Sequence, residues 1–285
     1  MRNSQHALLL CVFGAVGLPF APAESIPMKL RTLVPSSSDS SVYVEVEKVE
    51  QWDAARTAIV ICDMWDKHWC PTATARVAEM APAMNRVAQA ARKRGVLIVH
   101  SPSETLDFYE GTSQRQRAKE APPAANLPKD ITSWCSIQPK EGRLPIDDSD
   151  GGCDCDKPAK FYKAWSRQID AIEIAPEDAI SDKGDEVWNL FEARGIDNVI
   201  LMGVHTNMCV LGRPFGIRNL VNNGKNVVLM RDMTDTMYNP KRTPKVSHFR
   251  GTRLVVEHIE KPWCPSVAST VFTGEPEFRF QGDED

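Results

Sequence analysis

Three short stretches of the chain carry side chains able to do covalent chemistry. The first is Val60-Ile61-Cys62-Asp63-Met64, where a carboxylate follows an apolar run. The second is Val96-Leu97-Ile98-Val99, which ends in His100. The third is Gly203-Val204-His205-Thr206-Asn207-Met208-Cys209, a strand-to-helix turn that ends on a cysteine. A thiol at the start of a helix meets free N–H groups and the positive end of the helix dipole, which favour thiolate and could hold an oxyanion. Cys209 is therefore the candidate nucleophile, and Asp63 is its candidate acid/base partner. A buried structural cysteine is the competing reading of Cys209.

These groups need a scaffold that brings distant strand ends together. Thr57–Cys62, Val96–Val99, Asn198–Met202 and Asn226–Met230 are continuous apolar runs, as expected of strands buried on both faces. Between them lie helical patterns at Val77–Arg94, Glu186–Arg194 and Cys209–Asn223, stopped by Gly95, Gly195 and Gly224. Ile172 and Ile174 flank Glu173 as a possible short strand, and Arg253–Glu257 reads as a last one. Strands alternating with helices predict an α/β, three-layer Rossmann-like fold with a mostly parallel sheet of roughly six strands flanked by helices. In such a sheet, ligands bind at the carboxyl ends of the strands, where Asp63, His100 and Cys209 all fall.

Asp63 in its first-strand context resembles the D-M motif of the isochorismatase-like cysteine hydrolases, a superfamily that includes nicotinamidases. Gly203-Val204-His205-Thr206-Asn207-Met208-Cys209-Val210 is similar to that family's G-V-x-T-x-x-C-V signature, and Gly195-Ile196-Asp197 also matches it. The resemblance covers residues 55–260, apart from most of an insertion at about 101–170. It implies attack of Cys209 on a small amide, imide or related carbonyl, with Asp63 taking the thiol proton and a lysine assisting. It also implies a cis peptide at Val204–His205 that turns backbone N–H groups toward the oxyanion. One departure is plain. The window expected to hold the lysine, Ile174–Ser181, has none; Lys160 and Lys163 lie upstream and Lys183 downstream. A binding protein without hydrolytic activity, or with altered chemistry, is therefore the alternative.

Other candidates surround the cysteine. Trp65 and Trp69 could contact a flat substrate, and Arg213, four residues after Cys209 on one helical face, could orient an anionic group. By resemblance to nicotinamidases, Asp66 and His68 with His100 could begin a metal site, although packing of His68 between Trp65 and Trp69 is the favoured reading. No metal and no cofactor is called for. Asp232 and Asp235 follow the fifth strand and could shape the cleft rim.

The first residues differ in kind. Arg2, the apolar stretch Ala7–Phe20 and Ala21-Pro22-Ala23 have the layout of a cleavable secretory signal over 1–23, so a secreted or periplasmic location is expected. Residues 24–54 then read as an N-terminal leader in which Val42-Tyr43-Val44-Glu45-Val46 alternates like a short edge strand, 55–260 as the hydrolase domain, and 261–285 as a polar, frayed tail. Removing Cys11 from the eight cysteines leaves seven, an odd count that suggests disulfides plus a free thiol. Their connectivity stays open, with Cys153 and Cys155 expected in separate disulfides that could include Cys135. The separated cysteines offer no C-x-x-C redox couple. A net charge of −4 gives no basic footprint for nucleic acid, and no later segment is apolar for long enough to span a membrane. The expected partner is a small-molecule substrate, with a homo-oligomer possible.

Overall fold

The computed structural model describes residues 24–157 and 160–284, so the expected signal segment lies outside the described residues. Among these residues one sheet runs through the molecule in the order β2-β1-β8-β7-β6-β3-β4-β5. Its parallel centre is β7 (Asn226–Asp235), β6 (Asn198–Val204), β3 (Thr57–Cys62) and β4 (Leu97–Ser101). Two short strands, β5 (Ala179–Ile180) and β8 (Ser266–Val267), extend it in parallel on either side. The α/β class, the mostly parallel sheet and the flanking helices agree with the sequence.

Residues on the central strands alternate between two cores, as period-2 side chains must. Val60, Leu201 and Leu229 face a layer built by Leu190 and Phe191 of α3 (Gly184–Arg194) and by Val255 and Ile259 of α5 (His248–Ile259). Ile59, Ile61, Ile200, Met202 and Val228 face the other layer, where α1 (Pro71–Lys93) presents Met80, Met84 and Val87. All eight of these strand side chains are fully buried. Each contributes on the order of 1.5–3 kcal/mol by leaving water.

Three expectations are corrected. The sheet has eight strands, because the segment taken as a leader forms β1 (Ser25–Pro35) and β2 (Tyr43–Asp53), an antiparallel pair in register from Ser25↔Asp53 to Pro35↔Tyr43. Ile26, Met28 and Leu30 of β1 enter the core, and Arg31 pairs with Ser266 of β8. Arg253–Glu257 is not a strand but part of α5, whose buried His248, Gly251, Thr252, Val255, Val256 and Ile259 follow helical spacing. Ile172 and Ile174 lie outside strands; the short β5 supplies that edge instead. The C-terminal segment is also tied down: Phe280 is buried against the α1 layer, and Asp283 accepts from Arg253 at 2.9 Å.

The long segment between β4 and β5 carries little regular structure beyond α2 (Ser113–Lys119). It is anchored by buried polar contacts, including Arg218–Glu141 at 2.9 Å and the Trp263 indole donating to Glu141 at 2.9 Å. Close approach decides one backbone position beneath the site. Gly203, at φ +114°, lies so near β3 that a Cβ there would fall 2.1 Å from the Cys62 carbonyl oxygen. Only glycine lets β6 deliver the turn that follows.

Candidate active site

Asp63 leaves the end of β3 at φ +48°, in the left-handed region, and is fully buried. Its backbone is held by two hydrogen bonds, N–H to Ser101 O at 3.1 Å and C=O from Trp65 N at 2.8 Å. One carboxylate oxygen accepts from the Ser103 N–H at 2.8 Å. The other is 3.1 Å from Arg213 Nε. Cys209 lies close enough to this carboxylate for each to shift the other's pKa.

The cysteine arrives by an unusual route. The Val204–His205 peptide is cis, and Thr206–Val210 then forms a single π-helical turn. Thr206 Oγ1 bonds Thr234 Oγ1 at 2.7 Å and donates to Asp235 O at 2.9 Å. Asn207 donates to Asp148 at 2.7 Å and accepts from Met237 N–H at 3.0 Å. The turn is thus clamped to the end of β7 and to the insertion, which fixes where Cys209 points.

The electrostatics differ from the sequence expectation in one respect. Burial pushes the Cys209 thiol up, and the charge of Asp63 pushes the same way; Arg213 and a backbone hydrogen bond from His205 oppose them. The resting group is therefore a neutral thiol beside a carboxylate. The helix-start field expected to favour thiolate is outweighed, because desolvation of a buried anion costs more than one turn of helix returns. Burial also raises Asp63, against Arg213 and Ser103. Arg213 is itself held firmly protonated by Asp63 despite its own burial.

Arg213 is the finding that the sequence reading missed. It was taken as a contact for an anionic substrate, whereas the structure places it on Asp63. The Ile174–Ser181 window offers no lysine, and the cation that faces Asp63 is Arg213. That window instead supplies Asp178, which binds Arg92 at 2.8 Å and His100 at 3.0 Å. Lys163 donates to the Glu104 carbonyl at 2.7 Å and Lys183 faces Glu186 at 3.7 Å. Lys160 is exposed. The available signal was the i, i+4 spacing of Cys209 and Arg213. Trp134, from the insertion, covers Arg213 with its ring centroid 5.9 Å from the guanidinium.

An aromatic wall stands beside these groups. Trp65 stacks on Trp165 with centroids 4.3 Å apart and planes 10° apart, and His68 lies parallel to Trp165 at 5.9 Å. Trp69 contacts His68 at 5.3 Å, and His205 meets His68 edge-on at 4.9 Å. Burial and the nearby Arg76 push His68 down to about 4, and burial pushes His205 down as well. Both imidazoles are neutral near neutral pH. Among the described residues, Trp165 Nε1 and His205 Nε2 are buried without a hydrogen-bond partner. Trp165 was not singled out from sequence, since nothing in its local pattern separates it from ordinary insertion residues.

Asp66, His68 and His100 do not assemble into a metal site. Asp66 accepts from Ser166 N–H at 2.9 Å and from its hydroxyl at 2.6 Å. Both nitrogens of His100 are used, on Gln168 at 2.9 Å and on Asp178 at 3.0 Å. His68 Nδ1 accepts from the Cys70 N–H at 3.2 Å. Asp235 is buried between Arg76 at 2.7 Å and His248 at 2.9 Å, and Asp232 accepts from Ser269 N–H at 2.8 Å, so both brace the fold. A cavity of about 510 Å³ opens elsewhere, between β7, α5 and the C-terminal segment, and neither Asp63 nor Cys209 lines it. Reactive groups, not volume, mark the site at the strand ends.

No family model matches the chain, and no curated protein does. Solved structures align with it at low identity. A cysteine hydrolase from Pseudomonas syringae pv. phaseolicola is 18% identical over 77% of this chain and 91% of that one, with a TM-score of 0.46. An isochorismatase from Pseudomonas putida is 12% identical with the same coverages and a TM-score of 0.46. N-carbamoylsarcosine amidase from Thermoplasma acidophilum is 14% identical over 63% of this chain and 83% of that one, at a TM-score of 0.36.

Proposed function

We propose that this chain is an isochorismatase-like cysteine hydrolase that cleaves a small amide, imide or related carbonyl compound through a Cys209 acyl-enzyme. The observation that carries the reading is the buried Asp63 carboxylate, 3.1 Å from Arg213 Nε and next to the Cys209 thiol, whose pKa it raises. A thiol raised by burial needs a base within reach, and Asp63 is that base. As Cys209 Sγ bonds to the substrate carbonyl carbon, its proton passes to Asp63 and the carbonyl oxygen becomes an oxyanion. Backbone N–H groups around His205 and Cys209 are the donors suited to that oxyanion. Collapse breaks the carbon–nitrogen bond, and the Asp63 proton leaves with the amine. Water then adds to the thioester carbonyl and gives a proton to Asp63; the carbon–sulfur bond breaks, the carboxylic acid leaves, and Asp63 returns the proton to Cys209 Sγ.

Arg213 stays protonated throughout, since a guanidinium does not release its proton in this range. Its work is to keep Asp63 ionised while Cys209 is neutral. The stacked Trp65, Trp165 and His68 suit a flat, uncharged group. The signal-like segment and the Cys70–Cys153 disulfide together support action in an oxidising compartment, secreted or periplasmic. Among the described residues no helix is long and apolar enough to cross a membrane.

The test is turnover across a panel of small amides and imides, read by ammonia or amine release. Cys209→Ala is expected to abolish turnover, and iodoacetamide to label Cys209 in step with loss of activity. Full turnover by the alanine variant would overturn the mechanism. The raised thiol favours one second reading, a non-catalytic binding protein, and saturable ligand binding without hydrolysis anywhere in the panel would establish it.

A further inference from the structure

The pair Cys153-Asp154-Cys155 has no part in the reaction proposed above. Cys153 forms a disulfide with Cys70, their Cα atoms 5.6 Å apart. The free Cys155 Sγ stands 3.2 Å from Cys153 Sγ, and the three sulfurs all lie within 4.8 Å of one another. The intervening Asp154 is engaged elsewhere, binding Arg76 at 2.9 Å and Thr72, so it anchors the segment while both cysteines gather at Cys70. Exposure is graded across the cluster. Cys70 is completely buried, whereas Cys153 and Cys155 reach solvent in part. The Cys155 thiol donates to the Lys157 carbonyl at 2.7 Å.

We infer that Cys155 is an internal resolving thiol, through which the Cys70–Cys153 disulfide exchanges with thiols in solution. Cys155 loses its proton to solvent, and the thiolate attacks Cys153 Sγ. The Cys155–Cys153 bond forms as the Cys153–Cys70 bond breaks. The electron pair of the broken bond stays on Cys70 Sγ, which takes up a proton from solvent. This step is an isomerisation and consumes no oxidant or reductant. The new Cys153–Cys155 disulfide joins two partly exposed residues, so an external dithiol can reduce it to two thiols while itself becoming a disulfide. Direct attack on Cys70 is closed off by burial, and at Cys153 the Cys155 sulfur, held 3.2 Å away, competes with any external thiol as the attacking group.

The bridge holds part of the site. Cys70 directly follows the aromatic residues His68 and Trp69, and its N–H is the donor to His68 Nδ1. Trp69 packs with Cys70, Cys153 and Met208, and a Cβ on Gly151 would touch its ring at 3.3 Å. The disulfide thus pins the aromatic wall to the insertion. Opening it removes the covalent tie next to Trp69, while Trp65 keeps its indole bond to the Ser103 carbonyl at 3.1 Å.

The full chain with its disulfide intact, verified by intact mass, is treated with dithiothreitol and pulsed with an alkylating agent. Labelling of Cys70 is then followed by peptide mass mapping. Cys155→Ser is expected to slow Cys70 labelling at least tenfold, while Cys135→Ser leaves it unchanged. Without reductant, at mildly alkaline pH, the unaltered chain is expected to yield a Cys153–Cys155 peptide with Cys70 alkylated. An equal rate in Cys155→Ser, or no such peptide, would overturn the inference. So would a purified chain that holds Zn²⁺ on three thiols and no disulfide. These readouts do not use turnover, so they stand apart from the hydrolase reading.

Discussion

The Asp63–Arg213 pair makes a prediction of opposite sign for its two members, testable without knowing the substrate. Two charges of opposite sign act on the Cys209 thiol, Asp63 raising its pKa and Arg213 lowering it. Arg213→Met removes the lowering charge and leaves the buried carboxylate beside the thiol unpaired. Asp63→Asn removes the raising charge and leaves the cation. Charges this close shift a buried group by about 1–3 units. Part of that is offset, because a more basic thiolate is a better nucleophile, with a Brønsted slope of about 0.4–0.5. Roughly half of the logarithmic change survives, so iodoacetamide labelling of Cys209 slows about 3- to 60-fold in Arg213→Met. It accelerates over a similar range in Asp63→Asn. Hydrolysis must behave differently, since it needs the base: both variants lose turnover, and Arg213→Met moves the acid limb of any residual activity upward. Arg213→Lys keeps the charge and recovers part of the labelling rate. The assay is a second-order labelling rate by intact mass between pH 6 and 9. Slower labelling in Asp63→Asn, or unchanged labelling in Arg213→Met, would refute the electrostatic account.

Two predictions concern the scaffold. Gly203→Ala places a Cβ 2.1 Å from the Cys62 carbonyl at φ +114°, so it is expected to cost more than about 4 kcal/mol, read as a lowered urea midpoint. An unchanged midpoint would mean that β6 is not held as closely to β3 as described. His68 is pushed down to about 4 in the fold and returns to about 6.5 when unfolded. The unfolded chain therefore binds the extra proton between those values, and stability falls as pH drops through that window. His68→Gln is expected to flatten the fall in Tm between pH 6.5 and 4; an unchanged slope would assign that loss to other groups.

The central strands were legible because parallel strands covered on both faces are near-continuous apolar runs, and Ile59, Val60, Ile61 or Ile200, Leu201, Met202 look like nothing else. The outer elements were harder to read. Leu254-Val255-Val256 is apolar, short and carries two β-branched valines, so it resembles a strand until Gly251, Thr252 and Ile259 are counted on the same helical face. In β1 and β2 only one end is covered. Ile26, Met28 and Leu30 alternate with exposed residues in β1, but Val44, Val46 and Val49 of β2 are exposed, so the apolar pattern of the pair does not mark one buried face. The partner of β1 on its inner side is β8, a strand of two residues. Elements that short have no periodicity to detect.

The site divides along the same physical line. Asp63 and Cys209 end buried strands, and strand ends meet wherever a parallel sheet is built, so their proximity follows from local pattern plus topology. The cation does not. A charge opposite Asp63 can enter from any element that reaches the crevice, and the requirement is electrostatic, not positional. The Ile174–Ser181 window holds no lysine, and its Asp178 is paired with Arg92 and His100. Arg213 approaches instead from the turn after the nucleophile, four residues on from Cys209, with Trp134 laid over its guanidinium. Attaching the cation to the nucleophile's own segment changes what the cation can do. It is a delocalised charge that keeps its proton, so all proton movement falls to Asp63, and any pH dependence arising from this cluster belongs to the carboxylate and the thiol.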